Sequence, residues 1–390
     1  MVLFPDPRGV HTQSEPVDVI VVGAGLAGLI AAHTLAAADV RFVVLEARDR
    51  VGGRTLAVTE GDGPAVDVGA TWSWPHQPLI AQLSGLLGVK RFEQQVQGDA
   101  MLDLGPAGLE RHATPSPMTG SLRFEGSAAE LAVRLAARLP ADHVQLGVRV
   151  TAIEAVPGGV IVTAEGPGGA RTDLRARAVI VALPPRLAAQ DIAYSPALPA
   201  ALTQVLRGTP TWMGHAMKAV VTYGRAFWRD ERLSGFAYSY AGPLQEIHDA
   251  SPQGAPGGAL FGFFSAQHPA RVAPAAQRRG MVMDQLERAF GPEARQVQSY
   301  TELDWAQERL TSTPEDRTPP TRHPQYGHPL LQDAALDGRL CWAGAETSPL
   351  EGGLLEGAVQ SGQRAARQVM KLLQNGTFPA ESQASTAKGP

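Results

Sequence analysis

Gly23, Gly25 and Gly28 stand in the spacing G-x-G-x-x-G, and Glu46 follows where a carboxylate can accept hydrogen bonds from a ribose. Together they have the chemistry to hold a dinucleotide. The first glycine permits a tight turn, the second lets the backbone approach a pyrophosphate, and the third lets helix and strand pack closely. Phosphates would rest on the free N–H groups at the helix start, where the dipole also favours negative charge. An acid at position 46 would repel a 2′-phosphate, which points to FAD or NAD over NADP. A second residue raises a different question. Lys218 is one of four lysines in the chain and sits inside the apolar run "MKAVVTY". Burying an unpartnered ammonium costs several kcal/mol or lowers its pKa. Lys218 therefore either points outward by strand alternation or faces something that compensates its burial. No metal cluster, side-chain nucleophile or catalytic dyad is visible, and no metal is expected.

The elements that must position these residues are legible around them. Residues 17–22 form a β-branched run suited to a strand buried on both faces, and 26–38 are Ala- and Leu-rich with helical spacing. A second strand, "RFVVLE", ends in Glu46. The loop "EARDRVGGRT" then carries Gly52, Gly53 and Arg54, able to return along a pyrophosphate and add a guanidinium to it, which favours FAD. In "VDVGATW", the small residues Gly69, Ala70 and Thr71 follow a short strand and leave room for a flavin ring and ribityl chain. "VQLGVRVTAIEAVPGGVIVTAEG" alternates and turns at residues 157–159, as antiparallel hairpin strands do. "ARAVIVALPP" reads as another buried strand, and "RLCWAGAE" as a strand ending at Gly344 and Ala345. A second helix begins after Gly352 and Gly353; its N-terminus would face the flavin's pyrimidine end and stabilise the negative charge that reduction places there.

Composition excludes other classes. At 390 residues the chain is long enough for two domains, or for one interrupted by another. A net charge of −4 gives no reason to expect nucleic acid or an anionic membrane as partner. A single cysteine, Cys341, rules out an intrachain disulfide framework and suits a reducing compartment. The opening "MVLFPDPRGV" lacks a signal-peptide pattern, and no apolar run approaches the roughly 20 residues of a spanning helix. The expectation is a cytoplasmic protein, its oligomeric state undetermined, with flexible tails at residues 1–15 and 377–390.

The chain resembles the flavin-containing amine oxidase family, which includes monoamine, polyamine and L-amino-acid oxidases. The resemblance runs from about residue 17 to 373 and rests on "VVGAGLAGL", "VLEARDRVGGRT", "VDVGATW", "VRVTAIE", "AVIVALPP", "MKAVVTYGRAFW", "ELDW" and "CWAGAETSPLEGGLLEGAVQSGQRAA". It implies FAD contacts at Gly23, Ala24, Gly25, Gly28, Glu46, Ala47, Gly53, Arg54, Gly69, Ala70, Thr71, Trp305, Gly344, Gly353 and Leu354. It also implies that Val150 meets the adenine through its backbone, and that Glu346 lies near the ribityl phosphate. The matching family lysine holds a water against flavin N5, which gives Lys218 a catalytic role in the reaction with O2.

Two departures bear on chemistry. Monoamine oxidases attach FAD to a cysteine shortly beyond the tryptophan matching Trp305; here the aligned position is near Pro314, so FAD is expected to bind noncovalently. The paired tyrosines that flank the amine in those enzymes align, ungapped, with Glu315 and Leu354. Trp72, Glu315, Glu351 and Leu354 are the candidate substrate residues, with Glu351 or Glu356 an acid that could bind a cationic amine. Glu356 equally fits a helix-face role. The expected fold is α/β, a discontinuous Rossmann-like FAD-binding domain (16–76, 124–208 and 306–376) with an inserted α+β substrate domain (77–123 and 209–305). The implied activity is oxidation of an amine to an imine, then aldehyde or ketone, with O2 reduced to hydrogen peroxide. Three alternatives stay open: a desaturase or oxidase of a non-amine carbon skeleton, a flavin-bearing binding protein without turnover, and NAD(P)H-dependent reduction.

Overall fold

The computed structural model describes residues 17–60, 63–114, 116–254, 256–320 and 322–375; both expected tails lie outside these residues. Its centre is a parallel five-stranded sheet in the order Leu340–Trp342, Ala178–Val181, Val19–Val22, Phe42–Glu46, Val144–Leu146. Sheets of this kind are buried on both sides, and their strands read as continuous apolar runs. Alternation divides each strand between two cores. Val19, Val21, Phe42, Val44 and Ile180 face the helices Leu26–Ala36, Ala129–Ala136 and Leu355–Asn375. Ile20, Val22, Val43, Leu45, Val179 and Val181 face a four-stranded sheet built on the hairpin Arg149–Val156 and Gly159–Glu165.

Helix Leu26–Ala36 packs on the strand before it with almost no clearance. A Cβ at Gly28 would stand 1.9 Å from the Gly23 carbonyl oxygen, and one at Gly362 would stand 2.3 Å from the Ala27 carbonyl oxygen. Glycine at these two contacts fixes how closely both helices approach. The chain adds Phe42–Glu46 on one side of the Val19–Val22 strand and Ala178–Val181 on the other, so a crevice opens at the carboxyl ends of the strands, the usual ligand position in such folds.

A second body of sheet is antiparallel but for one pair. Seven strands run in the order Val297–Asp304, Met217–Tyr223, Gly258–Phe264, Leu244–Asp249, Leu233–Ser239, Asp99–Asp103, Leu109–His112. One face, including Ala219, Val221, Leu260 and Ile247, packs on helix Ala275–Phe290. The other face, including Val220 and Phe261, packs on Val66, Val68 and Trp72 beside the crevice. Lys218 belongs to that second face, one residue out of phase with Ala219. Among the described residues, no helix is long and apolar enough to cross a membrane.

Adding a methyl at Gly28 should abolish soluble folded protein, because the clash is with backbone. Gly85, exposed inside helix Pro78–Leu87, is the control, since a methyl there would meet nothing within 4 Å. Gly85→Ala should stabilise by roughly 0.5–1 kcal/mol. Soluble yield and thermal unfolding of the two variants check this pair.

Candidate functional site

A cavity of about 630 Å³ opens at the carboxyl ends of the parallel strands and extends to the seven-stranded sheet. At one end the turn Gly23–Gly25 enters helix Leu26–Ala36, whose first turn carries no acidic side chain. Gly23 has φ 101°, and a Cβ at Gly25 would meet nothing within 4 Å. Bulk at position 25 would therefore project into the cavity and leave the fold intact. Glu46 is buried on the wall, where its two carboxylate oxygens accept from the Ala24 N–H at 2.7 Å and the Arg48 N–H at 2.9 Å. Those bonds orient the carboxylate and leave lone pairs for hydroxyls.

Most residues expected from the sequence converge on this wall. Gly23, Gly25, Glu46 and Ala47 form one side, Gly53, Arg54, Gly69, Ala70, Thr71 and Trp72 another, and Val150, Gly344, Gly353 and Leu354 complete it. Gly353, at φ 81°, precedes the helix Leu355–Asn375, so a second helix N-terminus opens on the cavity.

The other expected residues do not reach the wall, each for a physical reason. The Ala24 side chain is buried in the core, and Ala24 contributes its N–H to Glu46. Gly28 is spent on the helix–strand contact. Trp305 is fully buried behind the wall and donates its Nε1–H to the Val68 carbonyl at 2.9 Å. Glu346 is fully buried and binds Arg54 through both oxygens, Nη2 at 3.0 Å, while Thr211 Oγ1 bonds to both partners. Burial alone would raise the Glu346 pKa; the Arg54 guanidinium outweighs it and holds the carboxyl below the usual range. Glu315 is exposed on the turn Pro314–Arg317, where a capping box between Thr313 and Asp316 fixes the backbone and leaves position 315 outside. Glu351 accepts from Gln77 Nε2 at 2.7 Å and lies 3.5 Å from His76, so it ties two loops together. Glu356 takes the helix role: its oxygens accept from the Leu79 and Ile80 N–H groups at 2.9 and 2.8 Å, capping helix Pro78–Leu87.

Lys218, the last of these, is fully buried, which removes the outward-facing alternative. Its Nζ donates to Thr71 Oγ1 at 2.7 Å and to the Gly69 carbonyl at 3.3 Å, and lies 3.9 Å over the Phe261 ring. It thus sits one layer behind the wall and touches it through Thr71. Burial lowers its pKa, with the Asp67 carboxylate opposing and the Arg123 guanidinium adding to the fall. Burial likewise raises Asp67, against the pull of Lys218 and Arg123. Asp67 also caps helix Ala129–Ala136 by accepting from the Ala128 N–H at 3.0 Å.

Several wall residues carry no sequence signal. Trp212, His215, Met213 and Arg271 come from the segments flanking the seven-stranded sheet, and Gln245, Glu246 and Phe263 from its strands. The Tyr326 ring has none either. It lies off the wall and packs so closely on the Gly352–Gly353 turn that a Cβ at Gly353 would lie 2.7 Å from it. Asp67 does have a signal, an acid in an apolar strand, of the same kind that singles out Lys218. Among the described residues, no group of three or more His, Cys, Asp or Glu side chains is arranged for a metal ion.

The flavin-containing amine oxidoreductase family model matches residues 108–370, and an NAD(P)-binding Rossmann-like model matches residues 21–84. A Mycobacterium tuberculosis protein named as a putative flavin-containing monoamine oxidase, AofH, is 29% identical over 460 residues, spanning 94% of this chain and 99% of that one. An L-amino acid dehydrogenase of Synechocystis is 24% identical across 94% of this chain and 98% of its own. Among solved structures, a wild-type putrescine oxidase bound to putrescine superposes with a TM-score of 0.79 at 23% identity, covering 92% of this chain and 99% of that chain. The chain belongs to the flavin-containing amine oxidoreductase family, has its fold, and is an FAD-dependent oxidoreductase.

The cavity suits FAD on its own chemistry. It offers an open cradle at Gly25, an oriented carboxylate at Glu46 and two helix N-termini along its length. Gly25→Val should fold with near-normal thermal stability and purify without flavin absorbance. Glu46→Ala should bind FAD at least ten times more weakly. Absorbance of the purified variants and FAD titration of the apoproteins check both.

Proposed function

We propose that this flavin-containing oxidoreductase oxidises an amine to an imine, which water hydrolyses to an aldehyde or ketone, and passes the electrons to O2 to give hydrogen peroxide. The observation that carries the reading is the ammonium of Lys218, kept fully buried at the back of the Gly69–Thr71 wall despite the cost of removing it from water. A positive charge held directly behind that wall, which burial opposes and the Asp67 carboxylate supports, accounts for keeping a lysine there. FAD, when bound, supplies the chemistry of accepting a hydride equivalent.

On this reading residues 16–76, 124–208 and 306–376 carry the cofactor, and residues 77–123 and 209–305 carry the substrate. The chain's own groups position and bias the reaction. Gly23, Gly25, Gly53 and Arg54 hold the pyrophosphate, Glu46 the ribose, and Val150 the adenine. The N-terminus of helix Leu355–Asn375 lends partial positive charge to the far end. Lys218 Nζ donates to Thr71 Oγ1, whose own hydroxyl donates to the Gly69 carbonyl at 3.3 Å, so the lysine fixes the Gly69–Thr71 segment of the wall. Asp67 and Arg123, opposed in sign, set how much of the lysine's charge is retained. Trp72 and Phe263 line the end nearest the seven-stranded sheet, a wall that excludes water from the reacting carbon.

Noncovalent attachment fits the position of Cys341. It is buried in the strand Leu340–Trp342 and off the cavity wall. The competing use of the same cofactor, on a neutral carbon skeleton, draws support from Leu354 on the wall where a cage aromatic would stand.

Anaerobic mixing of the holoprotein with a panel of amines should bleach its flavin absorbance, and aerobic turnover should release one peroxide per imine. Acid precipitation should leave all flavin in the supernatant. Lys218→Met should keep fold and FAD, because methionine fills similar volume without a charge to desolvate. Its amine-driven bleaching should change little, while its reoxidation by O2 should slow at least tenfold in stopped flow. An unchanged reoxidation rate would refute the role given to Lys218.

A further inference from the structure

Charge on the cavity wall is balanced almost everywhere. Arg54 pairs with Glu346, Arg48 with Glu308 at 3.3 Å, Arg149 with Glu165 at 2.8 Å, and Arg271 with Asp304 at 3.1 Å. Both oxygens of Glu46 accept backbone N–H groups. Two wall carboxylates, Asp191 and Glu246, have no Arg or Lys partner among the described residues. Asp191 accepts from Gln190 Nε2 at 3.1 Å and ends the helix Pro185–Asp191, which leads out of the parallel sheet. Glu246 is placed differently.

Directly opposed residues of paired strands share one face. The register therefore puts Leu303, Lys218, Phe263 and Glu246 in one row across the face turned towards the cavity. Lys218 reaches Thr71, Phe263 lines the cavity next to it, and Glu246 is the following member. With neighbouring strands about 4.8 Å apart, the backbone of Glu246 stands about 10 Å from that of Lys218. The titratable group that Glu246 touches is His248, whose Nε2 lies 3.4 Å away. That imidazole is buried, which lowers its pKa and holds it neutral near pH 7. The Glu246 side chain itself is 41% exposed, so its charge stays hydrated until something displaces the water.

We infer that Glu246 binds a second cationic group of the substrate, so that the preferred substrate is a diamine or polyamine oxidised at the end away from this carboxylate. The inference rests on the proposed amine oxidation and adds the substrate's second charge to it. The aromatic face beside the carboxylate, with Phe263 on the wall and Trp72 6.4 Å from it, suits the methylene chain between the two nitrogens. A substrate carboxylate would need the opposite sign at this place. The guanidinium that the same part of the wall offers, Arg271, is engaged by Asp304 and the His215 carbonyl.

The test uses the FAD-loaded protein, anaerobic stopped flow, and matched series of n-alkylamines, α,ω-diamines and ω-amino acids of three to eight carbons. The concentration dependence of flavin bleaching gives a dissociation constant and a limiting rate for each compound. Wild type should bind its best diamine about tenfold more tightly than the matching alkylamine, and the matching ω-amino acid more weakly than either. Glu246→Gln should raise the diamine dissociation constant about tenfold with less than a twofold change in limiting rate. The same substitution should leave the alkylamine constant within twofold and bring the ω-amino acid up to it; Glu246→Asp should restore part of the diamine preference. An equal effect of Glu246→Gln on all three series, no effect on any, or a wild-type preference for ω-amino acids overturns the assignment while amine oxidation stands. Failure of every amine to bleach wild-type flavin overturns the underlying reading instead.

Discussion

The ion pair between Arg54 and Glu346 holds together segments that the chain visits far apart. Arg54 follows the first glycine loop, Glu346 follows the last parallel strand, and Thr211, which bonds to both, leads into the seven-stranded sheet. A buried pair of this kind adds little net stability compared with apolar residues of equal volume, because desolvating both charges offsets their attraction. Its consequence is positional. Removing either partner leaves an uncompensated buried charge, so the three segments can meet in one arrangement, and the cavity wall that Arg54 shares with Gly53 and Gly344 inherits that arrangement.

Lys218 shows how one side chain can be constrained from three sides. The strand Met217–Tyr223 gives its odd-numbered residues to the helix-packed core, which sends Lys218 to the opposite face. That face meets the Val66–Trp72 segment, so the ammonium arrives against Gly69 and Thr71 and over the Phe261 ring. Asp67 and Arg123 then act on it with opposite signs. The lysine is indirect by construction: it touches the wall through the Thr71 hydroxyl and stands behind it without lining it.

What the sequence disclosed, and what it hid, follows from the range of the interactions. The glycine spacing, the acid at Glu46 and the parallel strands are local patterns, and each appears in place. Wall membership is a tertiary property. Trp305 and Glu346 carry motif signatures, yet they support wall residues from behind, since a motif marks a needed contact without saying which side of it faces the ligand. Glu246, Arg271 and Trp212 carry no local signature at all, being brought to the cavity by strand register and by the turns around the antiparallel sheet.

The cap that Glu356 places on helix Pro78–Leu87 has a bearing on how the protein is made. A ribosome delivers residues 78–87 long before residue 356, and strand Val19–Val22 long before the outermost strand Leu340–Trp342. Until the late segment emerges, the early helix lacks its N-terminal acceptor, Arg54 lacks its carboxylate and one face of the parallel sheet lacks the last of its three covering helices. The nascent chain therefore carries an unfinished sheet through most of translation, a state in which exposed strand edges invite aggregation. The nucleotide pocket is complete only once Gly344, Gly353 and the last helix join a wall whose first strand is by then the oldest part of the molecule.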